Sequence, residues 1–238
     1  MYHFSADIDW TLFFRFDKRW NENMNWSNIS TAAKAVLPVI ACHCDEHGKA
    51  FPGQETIAAL SRLDIKTVRQ GIKDLDGFPG FTWEYFLTRH GKRGKYYKLK
   101  FPQKGENGRS FFFYNGIIRS GTWSELKPTA KALYPVMRYF SYYDAEEDEN
   151  VEYDNLEFKE RFAKRRWELC SAEIGRLAEF AGINRRSVGD AIKSLQKNFL
   201  IEPYDTYEGE RVWRVFLIPK KHWKPGYLNQ KLRDRVAV

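Results

Sequence analysis

A chain of 238 residues can bury one large core or two modest ones, and its 43% apolar residues, with 18 Phe, 13 Tyr and 8 Trp, supply material for either. Its 39 Lys and Arg against 31 Asp and Glu leave a net charge of +8, which suits an anionic partner and also serves solubility. No run approaches the roughly 18 consecutive apolar residues of a membrane span, MYHFSADIDW lacks the basic-then-apolar order of a signal peptide, and Cys42, Cys44 and Cys170 make no disulfide framework.

These features predict a cytoplasmic protein without membrane association. From the start of the chain, Leu12 to Phe16 reads as a short strand, and a helix follows from about Thr31 to Cys44. Pro38 falls inside that helix, where it costs about 3 kcal/mol in regular geometry, so a kink or a late start to the hydrogen-bonded run is expected. CHCDEH, from Cys42 to His47, has metal-ligand residue types but no second cluster downstream, so it reads as helix-end packing and no metal or other cofactor is expected.

After the chain break at DEHGKAFPG, a short helix spans Gln54 to Leu60 and a turn follows at Asp64. Val68, Ile72 and Leu75 then recur at i, i+4 and i+7, the buried face of a second helix. Its other side carries Lys66, Thr67, Arg69, Gln70 and Lys73, donors that reach phosphates or base edges. Two short helices with a tight turn, the second amphipathic and basic, form a helix-turn-helix. FTWEYFLTR and KYYKLKF flank HGKRGK, a hairpin pattern that raises Lys92, Arg93 and Lys95 at its tip.

The rest of the chain repeats this order. WSNISTAAKAVLPV, from Trp26, matches WSELKPTAKALYPV, from Trp123, 97 residues on. TIAALSRLDIKTVRQGIKDL, from Thr56, matches RLAEFAGINRRSVGDAIKSL, from Arg176, at an offset of 120. The longer offset marks an insertion at about 144–167, acidic first and basic later. Phe13, Phe14 and Phe16 precede Trp26 much as Phe111, Phe112 and Phe113 precede Trp123, and each copy ends in an aromatic, β-branched run that closes with proline.

The Gly- and Asn-containing segment 103–110 divides the chain into domains 1–104 and 108–220, with a basic tail over 221–238. The second helix of copy two is expected to expose Arg185, Arg186, Ser187, Asp190, Lys193 and Ser194. Its turn holds Gly182 where copy one has Arg62, so the first turn must tolerate a side chain or take another geometry. The second hairpin has an acidic tip at Glu208 and Glu210, with only Arg211 and Arg214 as basic neighbours, and should be repelled by a DNA backbone.

Ile57, Ala58, Leu63, Thr67, Val68, Ile72 and Leu75, and again Leu177, Ala178, Gly182, Ile183, Ser187, Val188, Ile192 and Leu195, carry a pattern that resembles the helix-turn-helix of bacterial winged-helix DNA-binding proteins. The fuller order of aromatic strand, W-S-x-L and Ala-Lys helix is similar to plasmid and phage replication initiator or replisome-organiser proteins. The resemblance implies an α+β fold of two tandem winged-helix domains that binds repeated double-stranded DNA sites at an origin and recruits host replication proteins. A transcriptional regulator fits the same residues. So does a protein-interaction module in which copy two forms a homodimer or holds a partner. No P-loop, GxGxxG, HExxH or nucleophile elbow is present, so no enzymatic activity is expected.

Overall fold

The computed structural model describes residues 13–87, 91, 93–102, 110–142, 167–206 and 209–222. Helix and sheet are mixed in the same order in both halves. The first half runs β1 (Phe13–Asp17), α1 (Asn25–Asn28), α2 (Thr31–Ala41), β2 (Lys49–Ala50), α3 (Gln54–Ser61), α4 (Ile65–Asp74), β3 (Phe81–Leu87) and β4 (Arg93–Leu99). The second runs β5 (Ser110–Tyr114), α5 (Gly116–Arg119), α6 (Thr122–Glu125), α7 (Pro128–Tyr139), β6 (Trp167–Cys170), α8 (Ile174–Ala181), α9 (Arg185–Lys197), β7 (Ile201–Asp205) and β8 (Arg211–Phe216).

Each half closes with a three-stranded antiparallel sheet, ordered β2-β4-β3 in one and β6-β8-β7 in the other. The third strands β2 and β6 escape sequence reading. Lys49–Ala50 is too short to show alternation, and Trp167, at the end of the span read as an insertion, opens β6. Residues 143–166, most of that insertion, and the tail beyond 222 lie outside the described residues.

The two proline-bearing helices start normally. Ser30 caps α2 by accepting from Ala33 N at 3.1 Å, and Pro128 occupies the first turn of α7, where its missing N–H costs nothing. Both helices continue across Pro38 and Pro135, so the late start expected from sequence does not occur. A proline leaves the carbonyl four residues earlier without its helical donor and crowds it. Beside those carbonyls, Ala35 O accepts from Trp123 Nε1 and Ala132 O from Trp26 Nε1, each at 2.9 Å.

Those two bonds are reciprocal. Trp26 and Trp123 are equivalent in the repeat, as are Ala35 and Ala132, so each half donates to the other what it receives. The same exchange recurs in β1 and β5, which pair antiparallel with Arg15 opposite Phe112, its own equivalent. Phe14 stacks on Phe113 at 4.8 Å and Phe16 on Phe111 at 4.9 Å, again an exchanged pair. Helix α2 packs on α7, while α1 meets α8 and α6 meets α3. These relations define a local two-fold axis through the β1–β5 pair and the α2–α7 contact, an isologous interface within one chain. The buried core runs unbroken across it, from Phe14 and Trp26 through Trp123 and Leu133 to Val215.

The axis also places two buried lysines at the helix-turn-helix turns. Lys131 Nζ donates to Ser61 O at 2.6 Å, and Lys34 Nζ donates to Ser27 O at 3.0 Å beside Gly182. Burial pulls both ammonium groups down to about 8. Arg62 and Gly182 share the left-handed conformation, at φ 54° and 59°, so copy one tolerates its side chain without changing the turn. Gly182 has no such latitude, because an added Cβ would stand 2.1 Å from Ser27 O of the other half.

Gly182→Ala should therefore cost about 2–4 kcal/mol, whereas Arg62→Gly should gain up to about 1 kcal/mol; urea unfolding reads both. A lysine titrates near 10.4 when unfolded, so between about pH 8 and 10 the unfolded chain binds more protons and each buried lysine adds stability as pH rises. Lys131→Met lacks this gain and should fall further behind the parent protein between about pH 7.5 and 9.5 in paired urea midpoints.

Candidate nucleic-acid interface

Helix α4 is seated by Val68, Ile72 and Leu75, all fully buried, and by Gly71, where a Cβ would meet Ala32 backbone atoms of α2 at 2.9–3.0 Å. Backbone-to-backbone packing fixes the helix rotation, which leaves Lys66, Arg69, Gln70 and Lys73 exposed on one side. Asp64 caps α4 by accepting from Thr67 N at 2.9 Å and from the Thr67 hydroxyl. Thr67 is half-buried and engaged in the cap, so among the five α4 residues it has the least freedom to reach a ligand. Gln70 donates to Asp74 Oδ1 at 2.7 Å, and the exposed Arg69 donates from Nε to Gln54 Oε1 at 2.9 Å.

The β3–β4 hairpin brings a second cationic set to the same place. Its register puts Trp83 opposite Tyr97, Tyr85 opposite Lys95 and Leu87 opposite Arg93, all on one face. Lys95 Nζ sits 3.7 Å above the Trp83 ring, and the Arg93 guanidinium lies 5.0 Å from the centre of Tyr85. These cation–π contacts hold the basic groups in place. Trp83 is anchored in turn by donating to Asp76 Oδ1 at 2.7 Å. Partial burial lowers the pKa of Lys95, as do Lys73 and Arg69, while Asp76 opposes them. A cleft of about 550 Å³ lies between α3, α4 and the hairpin, lined by Phe51, Gln54, Arg69, Lys73, Tyr85 and Lys95 among others. Lys92 lies outside the described residues.

In the second half, Asn184 caps α9 by accepting from Arg186 N at 2.9 Å, and Val188, Ile192 and Leu195 are buried. Arg185, Arg186 and Lys193 are exposed, Ser187 is half-buried, and Asp190 lies 3.8 Å from Lys127. Ser194, expected on the exposed side, is buried and accepts from Lys127 N at 3.1 Å. It is the residue that ties α9 to the start of α7.

The second hairpin consumes its own charge. Arg214 binds Glu202 at 3.0 Å and stacks 4.3 Å from Tyr204, Lys220 reaches the other Glu202 oxygen at 2.8 Å, and Arg211 lies 4.0 Å from Asp205. Burial works to raise the Glu202 carboxyl, but the bonds from Lys220 and Arg214 prevail and hold it below its ordinary value. Glu208 is outside the described residues, and Glu210 is exposed.

Sequence reasoning missed Phe51, Gln54, Trp83 and Tyr85, the floor on which the cations of the first half rest. The alternation in FTWEYFL carried the signal for Trp83 and Tyr85. At Cys42–His47, the Cys44 thiol faces Gly48 O at 3.5 Å and a His43 ring nitrogen meets Val39 O at 2.8 Å. Among the described residues, no three His, Cys, Asp or Glu side chains gather as a metal site, and no helix is long and apolar enough to cross a membrane.

Residues 27–77, from α1 through α4, match a family described as a helix-turn-helix domain. Comparison with curated proteins and with solved structures gives no match in either case. The chain thus contains a helix-turn-helix domain, and that element supports DNA binding.

The cap is open to test. Hydrogen bonds from Thr67 hold the Asp64 carboxyl below its ordinary value, so its contribution is present above the carboxylate range and disappears as pH falls through the lowered value. Asp64→Ala should reduce the thermal midpoint at neutral pH, and the gap to the parent protein should narrow in melts as pH falls below the ordinary carboxylate range.

Proposed function

We propose that the chain binds double-stranded DNA sequence-specifically through two winged helices and initiates replication of a plasmid or phage from repeated sites at an origin. In each half the hairpin follows directly on the second helix of the helix-turn-helix, and a third strand completes the sheet, which supports the winged-helix reading. The observation that carries DNA binding is the convergence of Arg69 and Lys73 of α4 with Arg93 and Lys95 of the hairpin around one open cleft, with Lys66 exposed on the same helix. Guanidinium groups suit guanine edges, and fixed ammonium groups suit phosphates. The second half contributes Arg185, Arg186 and Lys193 from its helix, while its hairpin is internally neutralised. The replication role draws on the resemblance of the aromatic strand, the W-S-x-L order borne by Trp123 to Leu126 and the Ala-Lys helices to initiator proteins.

The test is enrichment of fragmented native replicon and genomic DNA by the purified chain at near-physiological salt. An array of short repeats beside a replication gene is the expected result. One site at a promoter would replace initiation with transcriptional regulation, and no enrichment over scrambled DNA would overturn sequence-specific binding.

On the enriched site, Arg69→Ala should cost about 1–3 kcal/mol and relax preference at one position, whereas Lys73→Ala should weaken all sequences alike and lower the salt slope by about 1. Arg214→Ala should leave affinity unchanged within about threefold, because its charge is already consumed by Glu202. Fluorescence anisotropy across a salt series separates the three.

A further inference from the structure

We infer that one chain recognises one DNA site with two arms in inverted orientation, similar but unequal in sequence. This deepens the proposed function and rests on its reading that α4 and α9 both enter DNA grooves. The argument begins with the local axis. The exchanged Trp26 and Trp123 bonds, the Arg15–Phe112 centre of the β1–β5 register and the α1–α8 and α6–α3 contacts are independent observations of one two-fold relation. Helix α4 packs on α2 and α9 packs on α7, and the axis exchanges α2 with α7, so it exchanges the two recognition helices as well.

Two helices related by a dyad meet a single duplex with opposite strand polarity, and the half-sites they read must then be inverted. A direct repeat would require one half to turn about 180° relative to the other. The buried core that crosses the axis forbids that turn, since Trp26, Trp123, Phe16 and Phe113 are all fully buried there.

The arms cannot be identical, because the faces are not. Lys66 and Arg186 occupy equivalent positions, as do Lys73 and Lys193, so both ends of each helix keep a cation. Between them, Arg69 of α4 stands where α9 has Gly189, and Gln70 where α9 has Asp190. Arg69 suits a guanine edge and Gln70 an adenine, whereas glycine reaches nothing and Asp190 suits a base amino group such as that of cytosine. The arms should thus agree at their ends and differ in the middle. Only the first hairpin is basic, so the contact should also extend further into the flank of the α4 arm.

The experiment selects duplexes from a random pool with the full chain, then compares three synthetic versions of the winning site: arms inverted, one arm reversed to give a direct repeat, and arms inverted with about 5 base pairs added between them. Native mass spectrometry gives the stoichiometry, and hydroxyl-radical footprinting gives the extent. The expected result is one chain per inverted duplex, a loss of tenfold or more in affinity for both altered duplexes because the second contact ceases to be intramolecular, and a footprint longer on one side. Arg69→Ala and Arg186→Ala, both surface changes, should each relax base preference at one position, in different arms. Equal affinity for the direct repeat, selection of a single arm, or two chains per inverted duplex would overturn the inference while leaving DNA binding intact. Failure to select any sequence would overturn both.

Discussion

The exchanged indole–carbonyl bonds between Trp26 and Ala132 and between Trp123 and Ala35 are the constraint on which the rest of the molecule depends. Each indole is fully buried and must find an acceptor there. Each acceptor lies one residue past the carbonyl that a helix proline leaves without its donor. Each indole finds its acceptor in the other half. Joining them fixes α2 against α7, and those helices carry α4 and α9, so the spacing and orientation of the exposed basic faces follow from a buried polar contact far from either face.

On this symmetric frame the chemistry is asymmetric. The first half mounts its hairpin cations on aromatic rings and keeps them directed toward α4, with Lys95 over Trp83 and Arg93 near Tyr85. The second half pairs Arg214 and Lys220 with Glu202, leaving its helix as the cationic element. A homodimer bound by the same symmetry would have to alter both surfaces with every substitution. A duplicated chain keeps the frame and changes each face independently.

Much of each half is legible in the sequence because it is local. The i, i+4, i+7 spacing of Val68, Ile72 and Leu75 and its counterpart in Val188, Ile192 and Leu195 mark the second helices, and glycine-centred turns mark the hairpins. The relation between halves is not legible, although the paired motifs are visible, because the lead-in strands are nearly 100 residues apart and no periodicity says that Phe14 meets Phe113. Short elements such as β2 and α1 are invisible for want of length, and Ser194 was assigned outward because nothing in its own helix predicts the Lys127 amide that holds it inward.

The position of β1 has a consequence for synthesis. FFRFD is made before β5, is buried along its whole length and, among the described residues, has its ladder partner in the other half. Until Ser110–Tyr114 and then α7 have left the ribosome, its ladder is open and the Trp26 indole has no acceptor. The first half therefore waits on the second to complete its core, a closure across long sequence separation of the kind that slows folding and exposes apolar edges meanwhile. A truncation after the first hairpin would leave a helix-turn-helix with an uncovered strand of phenylalanines at its back, a species prone to stick to its own copies before it ever finds DNA.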